Sequence, residues 1–421
     1  MKQYHLGAAA RLFEQVIKMA CQLGAIVLLA RFMPQDELGI VLLAQTLVTL
    51  LLFLNQLGLD SIFVKTIVSK EILPVSRYFS SCFFARLLSA LVCIIVINTL
   101  AFFLFDKKYA LVFFLFSLSH LFMPFSTYNW YFEATVQSVK TSISIIAGSL
   151  VSFIVKVFFA YHQYPIEFIV LGYVADYIVI ALLNFLLLKE DGLLARKNIS
   201  FETMQKALKK SYPLIFSGAL SLVYMKVDQL MLGNMLGEAE VAQYVVATRL
   251  SEAWIFVGFT LVGVYYPLIM KEKLVSSLRY KNSIINKAKW LIWCSLLLAV
   301  VTYFIADLLI LFLYGDNYLK SANVLAISIW TVPFTYLGTI ASRMYINEGQ
   351  QGLLFWRSLI GVVINIIGNA VLIPGYGVVG ASIATVVSQF VVGVVFNIFG
   401  KNNFIFLVQL RLILGCEYKK V

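Results

Sequence analysis

The sequence predicts an all-α integral membrane protein of about twelve transmembrane helices arranged as two six-helix halves. Three observations carry this. Of the 421 residues, 61% are hydrophobic and only 13% charged, with a mean hydropathy of +0.89, whereas a soluble domain is about half apolar and about a quarter charged. The apolar residues fall into separate runs near the roughly twenty residues that cross a hydrocarbon core. Short sequence echoes then link the first six runs with the last six.

Taken in order, the runs are Leu12–Ala30, Leu38–Leu59, Tyr78–Phe105, Tyr109–Phe132, Thr141–Tyr161 and Ile166–Leu188, then Pro213–Leu236, Val241–Pro267, Ala288–Tyr314, Ala322–Ser342, Leu353–Ile373 and Val378–Phe399. Backbone groups in lipid must be satisfied within their own segment, so each run is expected to be a helix. In the first run the small residues Ala8, Ala9 and Ala10 precede the apolar core, and no small-residue cleavage site follows it. It is therefore expected to persist as a helix and not to be removed as a signal peptide. Cys21, Cys82, Cys93, Cys294 and Cys416 show no paired spacing and read as small apolar fillers.

Assigned to alternate sides, the Lys and Arg residues between runs fall almost entirely on one side. Arg31, Lys107, Lys108 and Lys320 are the exceptions. The positive-inside rule makes the basic side cytoplasmic, with both termini there. The net charge of +12 thus reflects attraction to anionic headgroups, and no compact basic domain is left to bind nucleic acid. The longest polar segments, Lys189–Tyr212 and Lys271–Lys289, also face inward. In the former, Phe201, Met204 and Leu208 at helical spacing predict a surface-lying amphipathic helix. The tail Phe404–Leu414 is too short to span and is expected at the interface.

The echoes are Met33–Gly39 with Leu236–Ala242, after the first and seventh runs, and Pro124-Phe125-Ser126 with Pro333-Phe334-Thr335, inside the fourth and tenth. They predict an N-lobe over 1–188, a basic connector over 189–212, a C-lobe over 213–400 and a cytoplasmic or interfacial tail over 401–421. Six spans per half give both copies one orientation, related by a pseudo-twofold axis along the membrane normal, and substrate sites of such carriers lie at repeat interfaces. The two prolines are also compatible with being tolerated kinks.

Ionisable residues inside the runs are Glu14, Lys18, Arg86, Lys156, Asp176, Lys226, Asp228, Arg249, Glu252 and Asp307. Each costs about 2.5–3.5 kcal/mol at a helix centre if it faces lipid, so they are expected to pair or to line a wet cavity. Glu14 with Lys18, Arg11 with Glu14, and Arg249 with Glu252 have the spacing of local ion pairs. Asp307 lies near the outer end of its run. Lys226 and Asp228 are two apart and do not face each other, while Arg86 and Lys156 have no carboxylate one helical turn away. These cations are the leading candidates for an anion site, with cross-helix pairing to Asp176 or Asp228 as the alternative. Arg31 closes the first helix, where anchoring at the negative helix end and a cavity role are both open. Arg343 is expected to be a positive-inside anchor.

Catalytic motifs are missing. His5, His120 and His162 stand apart without metal spacing, and there is no phosphate-binding GxxxxGK[ST] loop and no GxSxG elbow. Asn365 and Asn369, with Gly361 and Gly368, read as helix-packing residues. Part of the 15% aromatic content belongs to an interfacial belt, and some aromatics would suit stacking on sugars.

The run Asn365-Ile366-Ile367-Gly368-Asn369 through Ile373-Pro374-Gly375-Tyr376-Gly377 to Thr385 resembles the penultimate-to-last helix hairpin of polysaccharide exporters in the MATE-like (MOP) superfamily. Tyr224–Gly233 resembles the seventh helix of Wzx-type O-antigen-unit flippases, and Ala30–Gly39, Asn129–Ala134 and Arg249–Trp254 are similar to other parts of them. The resemblance implies a MATE-like V of two lobes. By alternating access these would translocate undecaprenyl-pyrophosphate-linked oligosaccharide, an O-antigen unit, across a bacterial inner membrane, with no enzymatic activity. It places the cationic cavity at Arg31, Arg86, Lys156, Lys226 and Arg249. No cofactor or metal is expected. Coupling would run through H+ or Na+ at Asp228, Glu252 or Asp176, or through the membrane potential, worth about 2.3 kcal/mol per charge per 100 mV. An O-antigen polymerase and a chain-length regulator are the expected protein partners. A multidrug/cation antiporter of the same superfamily is the alternative, although it favours unpaired carboxylates over cations. A membrane glycosyltransferase or O-unit polymerase fits less well, because the outer loops are short.

Overall fold

The computed structural model describes residues 2–69, 74–188, 192–273, 276–350, 352–398 and 403–416. Among the described residues every regular element is helical: α1 (Lys2–Phe32), α2 (Gln35–Leu50), α3 (Leu52–Gln56), α4 (Leu59–Val68), α5 (Val75–Leu104), α6 (Ala110–Ser117), α7 (Ser119–Phe122), α8 (Thr127–Ala134), α9 (Ser138–Tyr161), α10 (Ile166–Leu187), α11 (Phe201–Leu236), α12 (Glu238–Lys273), α13 (Ser277–Tyr314), α14 (Lys320–Ser328), α15 (Thr331–Asn347), α16 (Gly352–Gly393) and α17 (Asn403–Leu414), with a few 3₁₀ turns between them. Among the described residues, eleven helical segments are long and apolar enough to cross a membrane. The last, Gly352–Ile398, contains two spans. Gly377 sits at φ 58° and ψ −138°, a backbone conformation open in practice to glycine alone, and the chain folds back there. Asn365 Nδ2 donates to Thr385 Oγ1 at 3.2 Å, and Gly380 lies so close to Leu372 that a Cβ would sit 2.4 Å from its carbonyl oxygen. The predicted pair of runs on either side of residues 374–377 is therefore an antiparallel hairpin. Phe399, the expected end of the second run, lies outside the described residues.

Packing divides the chain into two compact units, Met1–Lys226 and Val227–Val421. In the first, α9 packs along α10 and α1 along α9, with small residues at the contacts. A Cβ on Gly148 would lie 2.6 Å from Asp176 Oδ1, and one on Gly172 2.6 Å from Lys156 Cγ. Small residues let membrane helices approach closely where apolar burial gives little drive. In the second unit α15 packs along α16, with a Cβ on Gly393 only 2.5 Å from the Phe334 carbonyl oxygen.

One expectation is corrected. The basic connector is no separate surface helix, because from Phe201 onward it runs without a break into the seventh span as α11; its residues 189–191 lie outside the described residues. Its buried stripe is Thr203, Ala207 and Ser211, whereas Phe201 is exposed. A Cβ on Gly58 would meet the Ser211 carbonyl oxygen at 2.9 Å, so a small-residue contact outweighs the Phe201/Met204/Leu208 pattern. The tail helix α17 packs on the second unit. Ile405, Val408 and Leu412 join the apolar core beside α13 and α15. Gln409 Nε2 donates to the carbonyl oxygens of Leu337 at 3.1 Å and Gly393 at 2.8 Å. A glutamine on the same stripe as the apolar residues fixes the helix to the unit.

Candidate functional site

The fourth and tenth spans are both interrupted near their matched prolines. In the first unit a 3₁₀ turn, Met123–Ser126, holds Pro124 between α7 and α8. Proline has no N–H to return to the carbonyl four residues earlier, that of His120. Asn55 Nδ2 takes its place and donates to the His120 oxygen at 3.2 Å. Arg86 then seals the break. Its Nε donates to the Asn55 carbonyl oxygen at 3.1 Å, Nη1 to Thr127 Oγ1 at 2.8 Å, and Nη2 to the Met123 carbonyl oxygen at 3.0 Å and Ser126 Oγ at 2.9 Å. The guanidinium lies 4.2 Å from the ring centroid of Trp130, a cation–π contact, and the residue is 1% exposed. The residue expected to line a cavity is enclosed here by polar groups of its own unit. All three of its nitrogens donate to neutral acceptors in dry packing, and it holds the kink in shape.

A second polar group joins α1, α9 and α10. Glu14 is buried, accepts from Ser142 Oγ at 2.8 Å and lies 3.9 Å from Arg11, the i,i+3 pair that spacing predicts. Lys18 and Lys156 lie within electrostatic reach of Asp176. Lys156 is buried, with Nζ 4.0 Å from the ring centroid of Tyr173. Asp176 Oδ1 is buried without a hydrogen-bond partner.

The second unit holds a polar chain that the sequence reading missed. Asp228 accepts from the Gln229 N–H at 2.8 Å and from the Tyr244 hydroxyl. The Tyr244 oxygen lies 3.4 Å from Thr385 Oγ1, Asn365 Nδ2 reaches Thr385, and Asn369 Nδ2 donates to Asn365 Oδ1 at 3.1 Å. Asn365 and Asn369 are fully buried, and Asn369 Oδ1 has no partner. They tie the hairpin together, as expected of packing residues, and also continue a polar line from the buried carboxylate of Asp228. The available signal was the combination of Asn365, Asn369 and Thr385 across one hairpin with Asp228 on the seventh span.

The remaining candidates separate. Arg249 and Glu252 form an ion pair at 2.9 Å with both side chains part-exposed. Arg31 and Asp307 are exposed, and Lys226 is buried. Among the described residues no group of three or more His, Cys, Asp or Glu is placed to hold a metal.

Among the described residues, apolar helical spans with buried charges and interrupted, proline-bearing helices define a multi-span membrane fold. Solved structures share it. The chain is similar to a lipid II flippase MurJ in an inward closed conformation, with TM-score 0.75 and 16% identity over 97% of this chain and 91% of that one. It is also similar to an inward-facing multidrug resistance MATE family transporter of the MOP superfamily, with TM-score 0.67 and 15% identity over 94% and 95%. The chain belongs to the polysaccharide biosynthesis protein family, whose model matches residues 7–273. Relatives include a probable low-salt glycan biosynthesis flippase, Agl15, of Haloferax volcanii, 24% identical over 46% of this chain and 41% of that protein. Another is the capsular polysaccharide biosynthesis protein CapF of Staphylococcus aureus, 24% identical over 46% and 49%. The matches thus span less than half the length of these relatives.

Proposed function

We propose that the protein is a flippase, not an enzyme. It moves undecaprenyl-pyrophosphate-linked oligosaccharide, an O-antigen unit, from the cytoplasmic to the periplasmic leaflet of a bacterial inner membrane by alternating access, with both termini cytoplasmic. The observation that carries this reading is the presence of buried lysines, Lys156 and Lys226, inside spans of a polysaccharide biosynthesis family member. A desolvated ammonium is costly at membrane depth, and a diphosphate offers it two or more negative charges. Arg31 and the part-exposed Arg249–Glu252 pair supply further charge, whereas Arg86 is left out of the binding set. O-antigen polymerase and chain-length regulator would receive the product.

Coupling is assigned to Asp228. A carboxylate hydrogen-bonded to Tyr244 and followed by the Thr385, Asn365 and Asn369 oxygens suits a proton or Na+, and either would lower the cost of its burial. Asp176 is the corresponding candidate in the first unit, and the membrane potential would add its own drive. The buried carboxylates and the MATE-like fold also favour a second reading, a cation-coupled drug antiporter.

Expression in a bacterial strain lacking its own O-unit flippase separates them. Restored surface O-antigen without drug resistance supports the flippase. Drug resistance without O-antigen, for every O-unit tested, supports the antiporter.

A further inference from the structure

In the first unit α9 packs along both α1 and α10, and the three helices bring together Lys18, Lys156 and Asp176. Close approaches fix their register. Glu14 accepts from Ser142, and a Cβ on Gly24 would meet Phe153 Cε2 at 3.2 Å, so α1 and α9 run parallel. Gly148 faces Asp176 and Gly172 faces Lys156, so α10 runs the other way. Lys18 therefore lies level with Asp176. Lys156 lies farther along α9, one helical turn from Asp176 measured on α10, roughly 6 Å at the helical rise. Both lysines act electrostatically on Asp176, and Cys21, three residues after Lys18, feels both Lys156 and Asp176. The carboxylate is held without being saturated. Its Oδ1 is packed against Gly148, buried and without a hydrogen-bond partner. Lys156 is 6% exposed, with Nζ 4.0 Å from the Tyr173 ring centroid, and a ring face attracts an ammonium without neutralising it.

We propose that Asp176 is a resident counter-ion: it offsets Lys156 while no substrate is bound and is left to Lys18 when a diphosphate takes Lys156. The inference deepens the flippase reading and rests on it. Charges at membrane depth need a partner at every stage of the cycle, and a carrier must release its cargo as well as bind it. A carboxylate within reach of Lys156 meets both demands. It competes with the diphosphate, which weakens binding, and it supplies the charge that Lys156 loses when the head departs. Lys18, level with Asp176, gives the displaced carboxylate a cation of its own. Gly148 makes the arrangement possible, since a Cβ there would lie 2.6 Å from Asp176 Oδ1. Asp176 acts through Lys156 and is a positioning residue, with no contact of its own to the lipid head.

The test measures equilibrium binding of undecaprenyl pyrophosphate to the full-length protein in nanodiscs, and transport of labelled undecaprenyl-pyrophosphate-linked oligosaccharide by the same protein in proteoliposomes. Asp176→Asn is expected to bind about tenfold tighter, yet to transport about tenfold more slowly at saturating lipid, because release is retarded. Lys156→Ala should bind about tenfold more weakly. In the Lys156→Ala/Asp176→Asn double variant the gain from Asp176→Asn should vanish, since it acts through Lys156. Lys18→Gln, at a half-buried position, should weaken binding about threefold, because the carboxylate then rests on Lys156 alone; this arm decides the matter if Asp176→Asn does not fold. Unchanged or weaker binding by folded Asp176→Asn would overturn the proposal. So would a gain that survives without Lys156, or parental binding by Lys18→Gln. Loss of H+ or Na+ gradient dependence in Asp176→Asn at parental affinity would make it a coupling group and not a counter-ion. Folded parent protein that neither binds undecaprenyl pyrophosphate nor moves the oligosaccharide lipid overturns the flippase reading itself, whereas parental binding and transport with an unresponsive Asp176→Asn overturns the counter-ion alone.

Discussion

The two units solve the same problem in different ways. Each contains a span broken at a proline, and each must satisfy the polar groups that the break exposes inside a membrane. The first unit uses a charged guanidinium, with Arg86 and Asn55 closing the turn around Pro124. The second uses hydroxyls. Pro333 falls in the first turn of α15, where a missing N–H costs little; Thr331 Oγ1 donates to the Ser328 carbonyl oxygen at 2.6 Å, and Ser328 Oγ lies 3.0 Å from Ser251 Oγ. The lesson is that an intramembrane cation is not by itself a ligand site. Arg86 is as deeply buried as any candidate, and it is structural because neutral oxygens already occupy its fork. Lys156 differs in being set over the Tyr173 ring, within electrostatic reach of Asp176.

Breaking the charged seal should have the largest effect. Arg86→Leu strips donors from the Asn55 and Met123 carbonyls and from two hydroxyls. It is expected to destabilise the protein by roughly 1–3 kcal/mol for each buried acceptor left unsatisfied, and to remove most folded protein from the membrane. Arg86→Lys should rescue only part of this, because an ammonium cannot reproduce the planar fork. Monodisperse yield and Tm in detergent measure both. If Arg86→Leu folds normally and loses only transport, Arg86 belongs to the substrate path after all.

Next comes Gly258→Ala in the second unit. The added methyl must displace Tyr336, an overpacking cost of about 1–3 kcal/mol, visible as a lowered Tm; an unchanged Tm would mean that Tyr336 gives way freely. The smallest effect is expected for Ser251→Ala, which removes one neutral hydrogen bond worth about 0.5–1.5 kcal/mol. A loss as large as that of Arg86→Leu would erase the difference between the two seals. Asp228→Asn tests coupling in place of stability. Tm should stay close to the parent, while the dependence of transport on an imposed H+ or Na+ gradient disappears. If gradient dependence persists in this variant, the coupling site lies elsewhere, with Asp176→Asn as the matching experiment in the first unit.

Much of the architecture was legible because lipid imposes length and hydropathy on every span. The apolar runs, the matched Pro124 and Pro333 breaks and the hairpin around Gly377 were all readable on that ground. The start of α11 and the docking of α17 were not. They depend on Ser211 against Gly58 and on Gln409 against Leu337 and Gly393, contacts between residues far apart in the chain that periodicity does not encode. The site was half legible for a related reason. Local spacing identified the Arg249–Glu252 pair and set Lys226 and Asp228 apart. The partners of Arg86 are backbone carbonyls made available by a proline break, and no count of carboxylates at helical spacing could reveal them. The Asp228–Tyr244–Thr385 line likewise joins the seventh, eighth and twelfth spans, and emerges only once those helices are packed.

The most direct test is translocation of a labelled undecaprenyl-pyrophosphate-linked oligosaccharide in proteoliposomes containing the purified protein, alongside Lys156→Ala and Lys226→Ala. The expected result is protein-dependent transfer across the bilayer that falls about tenfold, near 1.4 kcal/mol of lost stabilisation, in each variant at unchanged Tm. Folded parent protein that moves none of the oligosaccharide lipids, or lysine variants that transport at the parental rate, would contradict it.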